Sequence, residues 1–160
     1  MRKLFLIRHA KSSHKDDSLE DLHRPLSKRG ERDALAMARH FADKGELLDV
    51  IYSSTAERAL DYAQLLSEFT GVALIPDLSF YTFIDSELRE ILYHLPDEVN
   101  SVAVVGHNAA ITLVAELLAA ESLENVPTSG IVALNCDVDS WDNLMAGCAE
   151  IEYFDYPKML

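Results

Sequence analysis

Two arginines and two histidines stand close behind apolar runs in this chain, and together they could carry phosphoryl-transfer chemistry. Arg8 and His9 follow the first run, Arg58 lies shortly after the second, and His107 follows the third after a single glycine. Arginine binds phosphate oxygens through its planar fork, and an imidazole placed among them can attack phosphorus. These residues therefore predict a phosphate pocket that contains a histidine nucleophile. The three apolar runs are residues 3–7, 49–53 and 101–105.

The pattern around these residues predicts strands that alternate with helices. Caps and glycines set the helix limits: Ser27 to about Lys44, a Ser54–Glu57 capping box to near Gly71, Asp85 to Leu95, and Asn108 to about Ala120. A polar loop is predicted over roughly 10–26. The predicted strands cover residues 3–7, 49–53, 72–75, 101–105, 131–138 and 148–154.

Strand–helix alternation predicts an α/β fold, a single three-layer α/β/α domain over residues 1–160 with a mostly parallel central sheet. The last two strands are close enough in sequence to form an antiparallel C-terminal edge. Parallel sheets bind ligands outside the carboxyl ends of their strands. Arg8, His9, Arg58 and His107 would then meet at one edge, beside helix N-termini that favour anions.

Three motifs in the same order resemble the histidine phosphatase superfamily. They are the Arg-His segment Leu6–Ser12, the second arginine segment Ser53–Ala59 and the second histidine segment Val105–Asn108. The resemblance implies a phosphoglycerate mutase-like fold. Other segments resemble the SixA-type phosphohistidine phosphatases more narrowly: His23–Ser27, Arg29–Gly30, Asp33–Ala34, Pro127–Gly130 and Pro157–Lys158.

The chain departs from the superfamily pattern at a few positions that carry no reacting group. Ala109–Ala110 stand where relatives often have Pro-Gly, and Thr55 stands where a proline is frequent. Asp61–Tyr62 replace a frequent Gln-Thr pair. These differences affect the expected surface on the substrate side rather than the chemistry.

The resemblance also implies a role for each site residue. His9 would be the nucleophile and become transiently phosphorylated, while Arg8 and Arg58 hold the phosphoryl oxygens. His107 would donate a hydrogen bond to another oxygen once the phosphate dianion is bound. Ser12 and Asn108 would add hydrogen bonds to the substrate. We expect neither a metal nor another cofactor, because the arginines and histidines supply the positive charge.

The substrate prediction depends on the leaving group. An alkoxide needs a general acid, whereas imidazole, with a pKa of about 6.5, leaves without one. Ester-cleaving relatives usually carry an acid after the third strand, but no carboxylate lies between Asp77 and Asp85 here. This favours phosphohistidine in a protein, such as a phosphotransfer protein, as the substrate. Carboxylates that could still fold inward are Asp16, Asp17, Asp77, Asp85 and Glu87.

Two alternatives remain open at this point. A small-molecule phosphomonoesterase of the same superfamily would share every catalytic residue and differ in its acid and its lid. A nonenzymatic phosphoprotein-binding module on the same fold would not need His9. The intact set of arginines and histidines favours an enzyme.

Composition narrows the partners and the location. The formal net charge of −13 in 160 residues argues against nucleic acid or anionic membrane as a partner. Only two cysteines are present, the first apolar run is too short for a signal peptide, and a cytoplasmic location is expected. The other histidines are interpreted as surface residues: His14, His23, His40 and His94.

Overall fold

The computed structural model describes residues 1–160 and contains one six-stranded mixed sheet with four α-helices. The strands are β1 (Arg2–Arg8), β2 (Val50–Ser53), β3 (Leu74–Pro76), β4 (Ser101–Gly106), β5 (Ile131–Cys136) and β6 (Ala149–Asp155). The helices are α1 (Lys28–Asp43), α2 (Glu57–Thr70), α3 (Asp85–Tyr93) and α4 (Ala110–Ala119).

The sheet has the strand order β3-β2-β4-β1-β5-β6. The first four strands are parallel, β5 runs antiparallel to β1, and β6 runs antiparallel to β5. The predicted parallel sheet with an antiparallel C-terminal edge is confirmed. Its centre is β4 and β1, whose apolar side chains are buried on both faces, as parallel strands under helices require.

Alternation along β1 divides the core into two layers. Leu4 and Leu6 face a cluster formed with α3 and α4, whereas Phe5 and Ile7 face a second cluster formed with α1 and α2. Successive side chains of a strand point to opposite faces, so a single strand serves both cores. The predicted three-layer α/β/α arrangement is confirmed.

Several predicted element boundaries differ from the structure. The Ser54–Glu57 capping box is wrong: the N-cap of α2 is Ala56, and the Ser54 hydroxyl binds a histidine described below. Asp85 is not a cap but the first helical residue of α3, which ends at Tyr93 instead of Leu95. Ser27 does cap α1, since its Oγ accepts a hydrogen bond from the Gly30 N–H (3.0 Å).

One of the four histidines interpreted as surface residues is not free on the surface. His40 is half-buried, and its Nε2 lies 2.7 Å from Asp155 Oδ2, which ties α1 to β6. The exposed histidines are His14, His23 and His94.

Candidate active site

The carboxyl ends of β1, β2 and β4 are joined by backbone hydrogen bonds. The His9 N–H donates to the Gly106 carbonyl (2.9 Å), and the Ser54 N–H donates to the Val105 carbonyl (3.0 Å). On the other side of β1, the Ser129 N–H donates to the His9 carbonyl (2.9 Å). The residues that follow three parallel strands are therefore brought to one edge, as the sequence predicts.

His9 is held with one ring nitrogen engaged and the other available. It is 9% exposed, and its Nδ1 lies 2.6 Å from the carbonyl oxygen of Ala10. A carbonyl only accepts, so Nδ1 carries the proton and the lone pair is on Nε2. Burial is the largest cause that lowers the pKa of His9, to about 4, aided by Arg58, Arg8 and Arg24 against the bond to Ala10. His9 is a neutral imidazole at pH 7.

Three arginines surround this imidazole. Arg58 is 2% exposed, while Arg8 is partly buried and donates from Nη1 to the Val126 carbonyl (3.0 Å). Arg24, on the loop before α1, donates from Nη2 to Ser12 Oγ. The Nε atom of each of the three is buried without a protein partner. Such a cluster of guanidinium donors is suited to a phosphoryl group.

An acidic residue of the 10–26 loop fixes Arg58. Asp21 Oδ2 accepts from Arg58 Nη2 (2.8 Å), and the Asp21 carbonyl accepts from Arg58 Nη1 (2.7 Å). The Tyr81 hydroxyl donates to the same carboxylate oxygen (2.6 Å). Burial acts to raise the pKa of Asp21, but these bonds and the charges of Arg58 and Arg24 outweigh it and lower the pKa. Asp21 is therefore a carboxylate that orients Arg58, not a proton donor.

His107 faces His9 from the end of β4. The ring centroids are 5.1 Å apart, and His107 is 1% exposed. Its Nε2 lies 2.8 Å from Ser54 Oγ, while Arg58 Nη2 donates to its Nδ1 (3.4 Å). Burial, with the charges of His9 and Arg58, lowers the pKa of His107 to about 3 against the opposing effect of Asp21. A phosphate dianion beside Nδ1 would raise that pKa and favour the protonated donor.

Comparison with known proteins identifies the family. The model of the histidine phosphatase superfamily (branch 1) matches residues 4–95. The chain belongs to the histidine phosphatase superfamily. An uncharacterized chloroplastic protein of Arabidopsis thaliana is 32% identical, with 91% of this chain and 71% of that protein covered. An uncharacterized Mycobacterium tuberculosis protein is 30% identical over 95% of this chain and all of its own length.

Several solved structures share the fold of this chain. SixA from Agrobacterium tumefaciens superposes with a TM-score of 0.82 at 24% identity, covering 98% of both chains. The protein histidine phosphatase SixA in complex with tungstate gives 0.80 at 20% identity and the same coverage. A mycobacterial glucosyl-3-phosphoglycerate phosphatase with VO3 gives 0.73 at 17%, covering 98% of this chain and all of the other. Superfamily membership supports phosphatase activity, and the SixA resemblance holds at the level of the fold.

The carboxylates named from the sequence as possible acids lie outside this cluster of arginines and histidines. Each is paired elsewhere or exposed, and none is hydrogen-bonded to His9, to His107 or to the three arginines of the site. The carboxylate that does enter the site is Asp21, which sequence reasoning missed. The five outside the site are Asp16, Asp17, Asp77, Asp85 and Glu87.

Ser12 and Asn108, expected to bind substrate, are both engaged in supporting contacts. Ser12 Oγ accepts from Arg24, and the Asn108 amide donates to Asn125 Oδ1 (2.8 Å) and to the Val126 carbonyl (3.1 Å). Asn108 Oδ1 also accepts from the Thr112 N–H (3.1 Å). These contacts order the loops on which the arginines rest, and a direct contact of either residue with substrate stays a prediction.

Four contributors to the site were not assigned from the sequence. Ser54 orients His107, Arg24 adds a third guanidinium, and Tyr81 closes the Asp21 contact. Arg24 lies within the His23–Ser27 motif, so a signal for it existed. Nothing in the spacing of Asp21 or Tyr81 indicated that the two segments meet across Arg58.

Features elsewhere in the chain do not extend this site. A cavity of about 530 Å³ opens at the amino ends of the parallel strands, lined in part by Met1, Asp49 and Asn135, and contains none of the clustered residues. No three His, Cys, Asp or Glu side chains lie close enough together to share a metal ion. None of the helices combines the length and apolar character that crossing a membrane requires.

Proposed function

We propose that this protein is a phosphatase that carries the phosphoryl group on Nε2 of His9 and acts preferentially on phosphohistidine in a protein. The observation that carries the proposal is the state of His9. Its Nδ1–H is donated to the Ala10 carbonyl, so the Nε2 lone pair is free within a cluster of three guanidinium groups. Superfamily membership supports the same chemistry.

The reaction would proceed in two steps. Arg8 and Arg58 bind the phosphoryl oxygens, Nε2 of His9 attacks phosphorus, and the leaving group departs with the electron pair of its bond to phosphorus. Water then attacks the phosphohistidine, releases phosphate and restores neutral His9. When Arg58 turns from Nδ1 of His107 to the bound dianion, that nitrogen takes a proton from solvent and donates it in a hydrogen bond to one of the phosphoryl oxygens. Ser12 and Asn108 are proposed as further hydrogen-bond donors.

The proposed substrate preference rests on the absence of a proton donor near the leaving group. Asp21 is ion-paired with Arg58 and kept ionised, and no other carboxylate is bonded to the cluster. The ring nitrogen of phosphohistidine that is remote from phosphorus takes its proton from solvent, so neutral imidazole departs without a general acid from the enzyme, whereas an alkyl alkoxide needs one. Phosphohistidine is therefore the phosphoryl donor that this set of side chains serves best.

A small-molecule phosphomonoesterase is the second candidate. It is favoured by the fold shared with the glucosyl-3-phosphoglycerate phosphatase, whose name denotes an ester substrate. A third possibility, a phosphoprotein-binding module, gives no reason for the free Nε2 of His9, because binding alone does not require a nucleophile.

We also propose that the protein needs no cofactor and that it meets its partner in the cytoplasm. Three arginines provide the positive charge that phosphoryl transfer requires, so neither a metal nor another cofactor is part of the proposal. The proposed partner is a phosphohistidine-containing protein in the cytoplasm; two free thiols, Cys136 and Cys148, suit a reducing compartment. Two proteins of the same fold have been solved in complex with tungstate or with VO3, which supports vanadate as an inhibitor of this protein.

A matched panel of substrates tests the proposal. We expect kcat/KM for a phosphohistidine peptide to exceed that for the corresponding phosphoserine peptide by about 10²–10⁴-fold, the usual contribution of a general acid. A sugar phosphate should react as poorly as phosphoserine. Similar rates for all three would favour the monoesterase instead.

The same assay requires a control for the nucleophile. Brief incubation of the wild type with labelled substrate should trap an acid-labile, alkali-stable phosphoryl group, and His9→Asn should show neither label nor turnover while remaining folded. If His9→Asn retained near-wild-type turnover, the mechanism would be wrong for every substrate class.

A further inference from the structure

Two aromatic side chains cover His107 at the mouth of the site. The ring centroid of Tyr81 lies 5.3 Å from that of His107, and the centroid of Phe83 lies 5.1 Å from it. The two aromatic rings also contact each other, with centroids 5.5 Å apart at 70°. We call this pair, Tyr81 and Phe83, the aromatic shelf.

Hydrogen bonds hold the shelf in register with the phosphate-binding groups. The Tyr81 hydroxyl donates to Asp21 Oδ2, and the same carboxylate oxygen accepts from Arg58. Asp21, which orients Arg58, therefore also holds the Tyr81 hydroxyl. The ring of Tyr81 contacts His107. The ring of Phe83 contacts the rings of Tyr81 and His107, so the shelf is preorganised beside the reacting centre.

The side chain of Phe83 is only partly buried in the fold. It remains 46% exposed although its ring contacts His107, whereas His107 is almost completely buried. An aromatic ring in this position offers apolar area to whatever lies above it. The shelf belongs to the 78–83 segment in which no carboxylate is present.

We propose that the aromatic shelf is a leaving-group subsite that binds the flat ring of the departing imidazole, with Phe83 as a specificity-determining residue. The inference rests on the proposed function and deepens it. Aromatic rings associate at centroid distances of 4.5–7 Å, the range in which Tyr81 and Phe83 already contact His107. An imidazole ring also takes up positive charge on protonation, and aromatic faces attract cations. The side chain of serine gains neither contact.

The aromatic shelf therefore gives a second basis for substrate specificity, in addition to the absence of a general acid. The missing acid discriminates by the basicity of the leaving atom, whereas the shelf discriminates by the shape of the leaving group. The two are separable with a donor that has a phosphorus–nitrogen bond but no ring. Phosphoramidate is such a donor, because its leaving group is ammonia.

The experiment compares two donors across three variants. In Phe83→Leu, which keeps apolar cover over His107 but removes the ring, we expect kcat/KM for a phosphohistidine peptide to fall about threefold to tenfold, the worth of one aromatic pair. The rate with phosphoramidate should stay within about twofold of wild type on the same reasoning. Phe83→Ala should have the same selective effect. Leu78→Ala, which removes a largely exposed aliphatic side chain of the same segment, should change neither rate.

Each of the other outcomes would overturn the inference. An equal fall with both donors in Phe83→Leu would make Phe83 a support for His107 and overturn the inference, and unchanged rates with both donors would also overturn it. In either case a wild-type preference for phosphohistidine over phosphoserine would leave the proposed function standing. If the wild type instead cleaved phosphoserine as well as phosphohistidine, the proposed function would fail, and the inference with it.

Discussion

At the scale of single residues, the two histidines of the site are held in opposite ways. The Ala10 carbonyl accepts a hydrogen bond from the Nδ1–H of His9, which leaves a lone pair on Nε2, whereas Ser54 and Arg58 contact the two ring nitrogens of His107. A nucleophile must present a lone pair, and a donor to phosphate must acquire a proton when the dianion arrives. The different hydrogen-bond partners therefore separate the two roles before any substrate binds.

The lowered pKa of His9 has a measurable effect on folding. Its pKa is about 4 in the folded protein, with burial as the largest cause, against an ordinary value of 6.5. Between these values the unfolded chain binds the proton and the folded protein does not, so stability is lost as the pH falls from 6.5 towards 4. We expect His9 to contribute up to about 3 kcal/mol to this loss.

The measurement is urea unfolding of the wild type and His9→Asn at pH 7 and pH 4. The wild type should lose more free energy of unfolding than the variant between these two values, because asparagine does not titrate. Acidic residues titrate in both proteins and cancel in the difference, which reports His9 together with the change that its loss makes in the pKa of His107. Equal losses would mean that His9 has an ordinary pKa in the folded protein.

The sequence predicted the strand-end positions of Arg8, His9, Arg58 and His107 because each closely follows an apolar run. It did not predict Asp21, which lies 37 residues before the arginine that it contacts. Contacts of a long polar loop depend on how the loop closes, and no periodic pattern records this. For the same reason the sequence left open whether another carboxylate folds into the site, since the burial of a carboxylate is set by its tertiary partners.

At the scale of elements, the 10–26 loop is closed against the start of α1. The Ser27 N–H donates to the Lys11 carbonyl (2.9 Å), and Ser12 pairs with Leu26 in an isolated antiparallel bridge. Gly30 permits this approach, because a Cβ at that position would lie 2.0 Å from the Lys11 carbonyl oxygen. The loop that presents Asp21 and Arg24 to the site depends on this closure.

Replacement of Gly30 tests that dependence. Alanine is the better helix former by about 1 kcal/mol, so Gly30→Ala would stabilise α1 if there were space. Because the new Cβ meets backbone, we expect destabilisation by about 1–3 kcal/mol instead. A displaced loop should also lower kcat/KM on the order of 10- to 100-fold, the usual cost of misplacing groups that position a substrate.

Gly106→Ala serves as the matched control for stability. Its Cβ would meet the Ile111 side chain at 3.4 Å, an ordinary contact, so the free energy of unfolding should change by less than about 1 kcal/mol. Both values come from urea unfolding curves. A Gly30→Ala protein as stable and as active as the wild type would show that the loop does not require close contact with α1.

The order and type of the elements were predictable because strands and helices have different apolar periods. The helix starts were less predictable, because a capping residue also has tertiary partners. Ser54 has the spacing of a capping box with Glu57, yet its hydroxyl contacts His107 instead. At α3, Thr82 Oγ1 accepts from the Ile84 N–H (3.2 Å) and donates to Glu87 (2.7 Å), which displaces Asp85 from the cap.

At the scale of the whole molecule, the net charge repels an anionic substrate, whereas the charge at the site attracts it. The net charge is −13, whereas the pocket around His9 contains three arginines. An approaching phosphorylated protein meets a repulsive field at long range and attractive contacts at short range. Salt screens long-range interactions between exposed charges much more than contacts in a buried pocket.

This distribution predicts opposite salt effects for peptides of opposite charge. For a phosphohistidine peptide flanked by glutamates, kcat/KM should rise when the ionic strength is raised from about 0.01 M to 0.15 M, as the Debye length shortens from about 30 Å to about 8 Å. For the same peptide flanked by lysines it should fall, because screening then removes attraction. The measurement is kcat/KM for each peptide over that range of salt, with kcat followed separately. Steering acts on encounter, so kcat should stay constant for both peptides. If kcat/KM for the glutamate-flanked peptide fell with salt, the three arginines would dominate the field beyond the pocket, and the net charge would not influence the choice of partner.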